Sequence, residues 1–352
     1  MPNLRYAIYR AGLETLYFSG AHRALRSLFA GVGSIFTLHH VRPGRPGRFQ
    51  PNRFLEIEAE FLDRMILQLR KRGIELVSMD EVHRRLVERD FDRYFVAFTL
   101  DDGYLDNYEH AWPVFKRHRV PFTVYVATSF PDRLGELWWL VLEQVVARND
   151  RLAVEMDGQT HFFNCASVSG KRQAFDEVYR WLRGLKNETE LRRAIRDLAA
   201  RYGVEVSAPC SELCMTWAQI AEMASDPLCT IGAHTINHVE LRKETDDVAR
   251  TEMKRSADVI EAALGKRPEH FAYPYGSVSA AGPREFALAR ELGFKTAVTT
   301  RAGALLPGHR EQLTALPRIS INGEFQALRY IDVLVSGVPF VLAGTGGRVE
   351  AA

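Results

Sequence analysis

The sequence has little cysteine, almost no net charge and no long apolar run. Its 352 residues include four cysteines without a CxxC pair, and one Cys210-x3-Cys214 spacing without a partner pair. This pattern excludes a disulfide scaffold and predicts reduced thiols in a reducing compartment. Lys and Arg total 46 against 44 for Asp and Glu, so a general nucleic-acid binder is not expected. The longest apolar stretch, residues 333–344, is too short for a transmembrane helix.

The first 50 residues also lack lysine and contain a single acid, Glu14, beside seven arginines. Apolar side chains alternate with arginines in residues 1–30, which predicts a basic amphipathic segment. It can be a packing helix with solvated arginines, or an interfacial helix that touches anionic lipid. A signal peptide is not indicated, because the apolar stretch 27–38 comes late and lacks a cleavage site. The expected location is therefore the cytoplasm, with the inner membrane face as a variant.

Strand-like and helical segments alternate over much of the chain, for example a strand at 95–100, a helix at 108–118 and a strand at 122–127. Another apolar period predicts a helix over 54–72. Repeated strand–helix units predict an α/β fold, a distorted (β/α) barrel of about seven parallel strands. The predicted divisions are a basic segment (1–30), a barrel (31–322) interrupted by a helical insertion (130–215), and a C-terminal helix and tail (323–352).

Two adjacent carboxylates close a predicted buried strand, in Thr99-Leu100-Asp101-Asp102-Gly103. Neighbouring strand residues point to opposite sides, so both can serve one site only where the backbone turns, which Gly103 permits. Two anions this close need a cation to neutralise one of them, and a metal is the simplest. A solvated Asp-Asp-Gly turn is the alternative.

The segment His234-Thr235-Ile236-Asn237-His238 places two histidines four residues apart. In a helical turn both imidazoles would lie on one face and could bind one divalent ion. A carboxylate from elsewhere would complete a site of two histidines and one carboxylate. A third cluster, Phe271-Ala272-Tyr273-Pro274-Tyr275-Gly276, lies at the end of another strand and would make a rigid groove wall whose ring faces accept a sugar. Surface histidines and an ordinary loop are the alternatives.

Together these three clusters resemble the polysaccharide deacetylases with a NodB-homology domain, carbohydrate esterase family four. The family motif T-F-D-D-G corresponds to 99–103, and H-[ST]-x-x-H is complete at 234–238. The third motif, R-x-P-Y, is matched in part by 272–275. With the flanking strands, the resemblance covers roughly residues 31–130 and 215–322.

The resemblance implies roles for individual residues. Asp101 would be the general base, and Asp102, His234 and His238 the ligands of a divalent metal whose water is the nucleophile. The backbone N–H of Tyr275 would stabilise the oxyanion. Zinc is the favoured metal, with cobalt, nickel and iron as alternatives.

The sequence lacks two features of the family pattern, the arginine of the third motif and the late acid motif. The third-motif arginine is Ala272 here, so another residue must orient Asp101, and Arg318 near the end of a late strand is the candidate. The family's late acid motif is not recognisable. His39 and His40 close the first strand, and we expect His39 to be the acid and His40 to contact substrate, together with Tyr273 and Pro274. Structural roles for these histidines and a surface position for Arg318 are the alternatives.

The expected activity is hydrolysis of N-acetyl groups, or else O-acetyl groups, on a glycan, oligosaccharide or lipid-linked saccharide. The insertion carries Trp138, Trp139 and Trp181, which would stack on sugars or pack its core. A cap of this size favours a chain end or a lipid-linked saccharide. A cyclic-amide hydrolase of the same barrel family and a non-catalytic carbohydrate-binding relative are the alternative functions.

Overall fold

The structure is a computed structural model that describes residues 2–345, with side chains from Tyr6 onward. The end of the predicted C-terminal tail, residues 346–352, lies outside the described residues. The strands are β1 (Gly33–Leu38), β2 (His40–Val41), β3 (Glu56–Ile57), β4 (Glu75–Val77), β5 (Phe95–Leu100), β6 (Phe122–Val126), β7 (Arg151–Met156), β8 (Gln159–Asn164), β9 (Cys229–Ala233), β10 (His270–Ala272), β11 (Thr296–Ala302) and β12 (Leu316–Ser320).

The α-helices are α1 (Pro2–Phe18), α2 (Ala21–Ala24), α3 (Arg26–Phe29), α4 (Ala59–Lys71), α5 (Met79–Glu88), α6 (Trp112–His118), α7 (Trp138–Arg148), α8 (Val168–Gly184), α9 (Glu188–Arg201), α10 (Ala208–Leu213), α11 (Trp217–Ala224), α12 (Asp246–Leu264), α13 (Pro283–Glu291), α14 (Leu328–Leu334) and α15 (Val338–Leu342). A π-helical turn (Asn107–Ala111) leads into α6, and 3-10 turns lie at Arg53–Leu55, Leu241–Lys243, Pro307–Glu311, Leu313–Ala315 and Gly323–Phe325.

Seven parallel strands close into a barrel in the order β1, β5, β6, β9, β10, β11, β12. Closure comes from β1, which pairs with β5 along its whole length and with β12 near its end. Every residue of β1 and β5 is buried, as expected for parallel strands covered by helices. The predicted barrel of about seven parallel strands with a helical insertion is therefore confirmed.

One predicted strand lies outside the ring. β4 pairs with the first half of β5 (Glu75↔Phe95), whereas β6 pairs with the second half (Phe98↔Phe122). Because β1 occupies the other edge of β5, β4 and β6 share one edge. This sharing makes the barrel irregular on that side.

The helix predicted over 54–72 is wrong at its start. Glu56 and Ile57 instead form β3, which pairs with β2 (His40↔Glu56), and α4 begins only at Ala59. Glu56 is buried and bound by Arg42 and Arg45. Strand pairing and buried ion pairs therefore override the local helical period.

The insertion contains α7 to α10 and one antiparallel hairpin, β7–β8. The hairpin turns at Asp157-Gly158, as the sequence indicates, and both residues have positive φ, as a type I′ turn requires. The insertion has its own hydrophobic core, which also takes in Tyr104 and packs against Tyr275. Those two tyrosines belong to the loops after β5 and β10, so the insertion is packed directly onto the barrel rim.

The two ends of the chain pack together beside β12. Leu13 of α1 forms a buried cluster with Tyr330 and Val333 of α14, and Glu14 binds the Arg329 guanidinium. We call α1 and α3 with α14 and α15 the terminal layer. Among the helices of residues 2–345, none combines the length and apolarity that a membrane crossing requires.

Candidate active site

A cavity of about 320 Å³ opens at the carboxyl ends of the barrel strands. Loops that follow different strands converge on it: His39 follows β1, Asp101 and Asp102 follow β5, His234 follows β9, and Tyr275 follows β10. Parallel barrels carry their active sites at this end, because the strand ends fix side chains from distant parts of the chain.

The backbone turns sharply after β5. Asp102 and Gly103 both have positive φ, 75° and 72°. Aspartate tolerates this left-handed conformation better than most residues, and glycine adopts it without strain. The turn lets both Asp101 and Asp102 line the cavity, although they are neighbours in sequence.

Asp102, His234 and His238 form the one cluster of potential metal ligands within the described residues, with ligand atoms within 4.8 Å of one another. Asp102 Oδ1 lies 3.4 Å from His234 Nε2 and 3.2 Å from His238 Nε2. All three side chains are buried. Burial opposes ionisation of Asp102, but the two imidazoles lower the pKa of its carboxyl well below the ordinary value.

These residues fit a divalent cation. Asp102 Oδ1 is buried and accepts no hydrogen bond from the residues that the structure describes. The Nδ1 of His234 lies 2.7 Å from the Ala272 carbonyl, which holds the proton on that nitrogen and leaves Nε2 as the ligand atom. Two imidazoles and a carboxylate suit zinc and other first-row transition metals.

The spacing of the two histidines suits a helical turn, but in the structure they do not lie on one. Thr235 and His238 have positive φ, 62° and 56°, and the segment is an irregular loop. Glu252 of α12 holds it, because its carboxylate accepts from the backbone N–H groups of Ile236 and Asn237, both at 2.9 Å. The histidines converge through this tertiary contact.

Arg318 forms a buried bidentate pair with Asp101. Its Nη1 and Nη2 lie 2.7 and 2.6 Å from the two carboxylate oxygens, and its Nε donates to the Thr299 carbonyl. Arg318 is fully buried, on β12. Burial alone would raise the pKa of the Asp101 carboxyl. The charge and hydrogen bonds of the Arg318 guanidinium have the larger effect, so the pKa is lowered and Asp101 is ionised. Arg318 is thus the residue that pairs with Asp101 in this structure.

The two neighbouring histidines after β1 have different surroundings. His39 lines the cavity beside the carboxylates. Desolvation lowers the pKa of His39, and the charges of Asp102 and Asp101 partly oppose this shift. His40, expected as a substrate contact, is instead buried beneath the site, with Nδ1 2.6 Å from Asp106 and its ring stacked on Tyr104.

The third cluster divides in the same way. Tyr275 lines the cavity, whereas the Tyr273 hydroxyl donates to the Thr314 carbonyl in the core and Pro274 is buried, with neither lining the cavity. The expected substrate contacts from Tyr273 and Pro274 are therefore not supported by their positions. Tyr275 has φ +60°, and in residues 2–345 no acceptor takes its backbone N–H.

The insertion supplies a second part of the cavity wall, which we call the insertion wall. Trp139 of α7, and Tyr179 and Arg183 of α8, line it. The Arg183 guanidinium lies 3.7 Å from the centre of the Tyr275 ring. Sequence reasoning did not identify Tyr179 or Arg183, because the helical period of α8 does not show which side meets the barrel.

The three tryptophans of the insertion have separate positions. Trp138 is fully buried, and its Nε1 donates to the Tyr275 hydroxyl at 2.8 Å. Trp139 faces the cavity, with its ring 5.0 Å from that of His238. Trp181 lines a different cavity, between α9 and the hairpin. Trp138 therefore packs in the core of the insertion, whereas Trp139 lines the catalytic cavity.

Comparison with known proteins is consistent with this geometry. The family model described as polysaccharide deacetylase matches residues 88–297. Comparison with curated protein sequences finds no significant match.

Similar solved structures include the Streptococcus pyogenes deacetylase PplD (20% identity, TM-score 0.54, 82% of this chain and 92% of that one). IcaB from Ammonifex degensii is 18% identical, with a TM-score of 0.53 over 86% of this chain and 97% of its own. A de-N-acetylase from Aggregatibacter actinomycetemcomitans is 15% identical, with a TM-score of 0.51 over 86% and 99%. These likenesses establish the barrel fold. Because the family model spans more than half of the sequence, the chain belongs to the polysaccharide deacetylase family, hydrolases of carbon–nitrogen bonds other than peptide bonds.

Proposed function

We propose that the protein is a metal-dependent hydrolase that removes N-acetyl groups from a saccharide. The observation that carries the proposal is the ionised Asp101–Arg318 pair beside the cluster of Asp102, His234 and His238, all in one cavity. Family membership supports glycan deacetylation. Metal dependence, the role of each residue and the substrate are the parts proposed here.

Asp102, His234 and His238 would hold the metal, with zinc as the proposed ion and cobalt, nickel or iron as alternatives. When bound, a divalent cation supplies Lewis-acid polarisation of the acetyl carbonyl and lowers the pKa of a water.

Asp101 is the proposed base. Arg318 fixes both of its carboxylate oxygens, so the carboxylate has one orientation and stays ionised. It accepts the proton that the attacking water loses as its oxygen bonds to the acetyl carbon. Proton transfer by a positioned base typically contributes about 10² to 10⁴-fold to a rate.

The Tyr275 N–H is the proposed donor to the acetyl oxygen, where negative charge develops. It borders the cavity, and within the described part of the chain its proton is not taken by another group. A fixed backbone donor of this kind stabilises the tetrahedral state without reorganising. The hydroxyl of the same residue is held by Trp138, which fixes the ring.

His39 is the proposed acid. It lines the cavity next to Asp101 and Asp102. Desolvation lowers the pKa of His39, and the charges of the two carboxylates partly oppose that shift. Its proton passes to the sugar nitrogen as the carbon–nitrogen bond breaks. The overall reaction consumes one water and yields the free amine and acetate.

The walls of the cavity favour a short or terminal saccharide. The insertion adds Trp139, Tyr179 and Arg183 to the cavity lining, so both the barrel and the insertion bound the cavity. We propose a chain end or a lipid-linked saccharide as substrate, processed at the inner face of the membrane. The basic terminal layer supports that location.

The test is acetate release from N-acetylglucosamine oligomers by the metal-loaded protein. Wild type is expected to release acetate, the Asp101→Asn variant to lose about 10²-fold or more, and the Asp102→Asn variant to lose both activity and metal content. If wild type released acetate no faster than the Asp101→Asn variant, the result would favour the non-catalytic carbohydrate-binding alternative. Ring opening of a cyclic ureide without acetate release would instead favour a cyclic-amide hydrolase.

A further inference from the structure

A second cavity, of about 410 Å³, lies in the terminal layer between α1, α14, α15 and the end of β12. Its walls are mainly apolar and include Tyr9, Leu13, Phe325, Leu334, Phe340 and Ala343. We call it the groove. None of the residues assigned to the proposed reaction lines it.

A smaller cavity of about 250 Å³ lies between the groove and the catalytic cavity. Its lining includes two arginines, Arg10 of α1 and Arg172 of α8, against one carboxylate, Glu324. Arg10 is exposed and Arg172 half-buried. We call this positively charged cavity the saddle.

The three cavities are neighbours that share lining residues. Phe54 lines both the catalytic cavity and the saddle, and Tyr6 lines both the saddle and the groove. Ser320, at the end of β12, lines both the catalytic cavity and the groove. The shared residues therefore place the catalytic cavity, the arginine-lined saddle and the apolar groove side by side.

The terminal layer itself carries exposed apolar side chains. Ile8, Tyr9 and Phe18 of α1 and Leu342 of α15 are more than half exposed. Arg23 and Arg26 lie in the same N-terminal segment, and its acid, Glu14, is already bound to Arg329. Arginine beside exposed apolar surface is typical of proteins that meet phospholipid.

We propose that the groove and saddle bind the lipid end of a lipid-linked saccharide, with the hydrocarbon chain in the groove and its phosphate at Arg10 and Arg172. The chemistry of the three neighbouring cavities (polar site, cations, apolar groove) matches the sugar, phosphate and hydrocarbon of such a molecule. Arginine suits the phosphate because its planar guanidinium donates two parallel hydrogen bonds. The inference rests on the proposed function for the identity of the sugar end, and the lipid site can be tested without it.

The test uses butyl, octyl and dodecyl phosphate, each below its micelle concentration, with calorimetry on the full chain. Affinity is expected to rise about tenfold for every two carbons until the groove is full. The Ala343→Trp variant narrows the groove and should make affinity level off at a shorter chain. Arg10→Gln should weaken all three phosphates by the same factor, about tenfold.

Matched controls lie in the same segment. Ala11→Trp places the same ring at an exposed position of α1 outside the groove, and Arg23→Gln removes an exposed arginine outside the saddle. Both should bind like wild type. If Ala343→Trp fails to fold, Tyr9→Gln removes an apolar wall at an exposed helix position and serves instead.

Three results would overturn the proposal: affinity independent of chain length, equal losses in the control variants, or binding to anionic phospholipid vesicles that the groove variants leave unchanged. The last result would indicate contact with the membrane surface alone.

An activity measurement separates this inference from the proposed reaction. Acetate release from decyl N-acetylglucosaminyl phosphate is compared with release from the methyl ester, and a lower KM for the decyl ester is expected. Equal kinetics on both esters would refute the lipid site and leave the deacetylase standing. Chain-length-dependent binding of alkyl phosphates without acetate release from any substrate would refute the deacetylase and leave the lipid site standing.

Discussion

The two walls of the catalytic cavity are built in different ways. On the barrel wall, the polar groups come from separate strands and are fixed by buried contacts, such as Asp101 with Arg318 and His234 with the Ala272 carbonyl. On the insertion wall, Trp139, Tyr179 and Arg183 come from two adjacent helices and are mostly aromatic. Under the proposed function, we expect the barrel wall to determine the reaction and the insertion wall to determine which saccharide enters.

The largest effect is expected where the barrel wall loses its buried cation. Arg318→Met leaves the Asp101 carboxylate buried without a partner, so the free energy of unfolding should fall by about 3–5 kcal/mol. Acetate release should be lost as well. Urea unfolding followed by tryptophan fluorescence, together with an acetate assay, measures both.

The control is Arg329→Met, which removes another bidentate arginine–carboxylate pair, with Glu14, at a side chain that is 40% exposed. Exposed pairs contribute about 0–1 kcal/mol. If both variants lost equal stability, the buried pair would have no special role in the barrel wall.

A smaller effect is expected from the turn that presents Tyr275. Gly276 has φ +57°, and an added Cβ would lie 2.5 Å from the Thr300 backbone nitrogen. Gly276→Ala must therefore shift the Tyr275 N–H, and we expect kcat/KM for acetate release to fall about 10²-fold. The control is Gly158→Ala. Gly158 also has a positive φ, but an added Cβ there would have no atom within 4 Å, so this variant introduces backbone strain without a steric clash. Equal activity in the two variants would contradict the prediction.

The histidines of the barrel wall face a carboxylate, whereas His309 is buried in the 3-10 turn after β11, where its Nδ1 accepts from the Leu306 N–H. Burial lowers the pKa of His309 to about 4, from 6.5. Between pH 6.5 and pH 4, His309 binds a proton in the unfolded chain but not in the folded protein. The free energy of unfolding therefore decreases as the pH falls through this range. The loss should be about 2 kcal/mol between pH 7 and pH 4.5.

His309→Asn keeps an acceptor for the Leu306 N–H and removes the titrating group. The pH dependence of the unfolding free energy should therefore be shallower in this variant by that amount. Parallel curves for wild type and variant would show that His309 titrates normally.

The smallest effect is expected on the insertion wall. Arg183→Met removes a guanidinium that borders the cavity, while Lys243 remains 3.3 Å from the buried Glu240 that Arg183 also contacts. We expect KM to rise about tenfold, with kcat nearly unchanged, because uniform binding is lost. Arg180→Met, at an exposed position of the same helix, should change neither. A loss of kcat alone would place Arg183 in the reaction and break the division between the two walls.

The features that sequence reasoning located share one property: each lies at or next to the end of a strand with a strong apolar pattern. The Asp101-Asp102-Gly103 turn follows β5, and Arg318 was inferred as the partner of Asp101 because the usual arginine position is Ala272. Topology brings strand ends together, so these positions could be related without coordinates. The family pattern contributed the pairing of distant motifs.

Other features depend on contacts that no local pattern contains. The spacing of His234 and His238 suits a helical turn, but Glu252 of a later helix holds the segment as a loop. The start of the helix predicted over 54–72 is replaced by a strand that pairs with β2. Arg183 reaches the cavity from an insertion that packs onto the barrel rim through a core that includes Tyr104.

The hydrogen bond from Trp138 to the Tyr275 hydroxyl joins the insertion to the loop that presents the proposed oxyanion donor. The insertion therefore cannot be treated as a removable lid. Shortening it to admit long polymers would also free the loop after β10, and an engineered enzyme of that kind would lose rate along with selectivity. Broader substrate scope has to be sought by changing individual side chains on the inner face of α8.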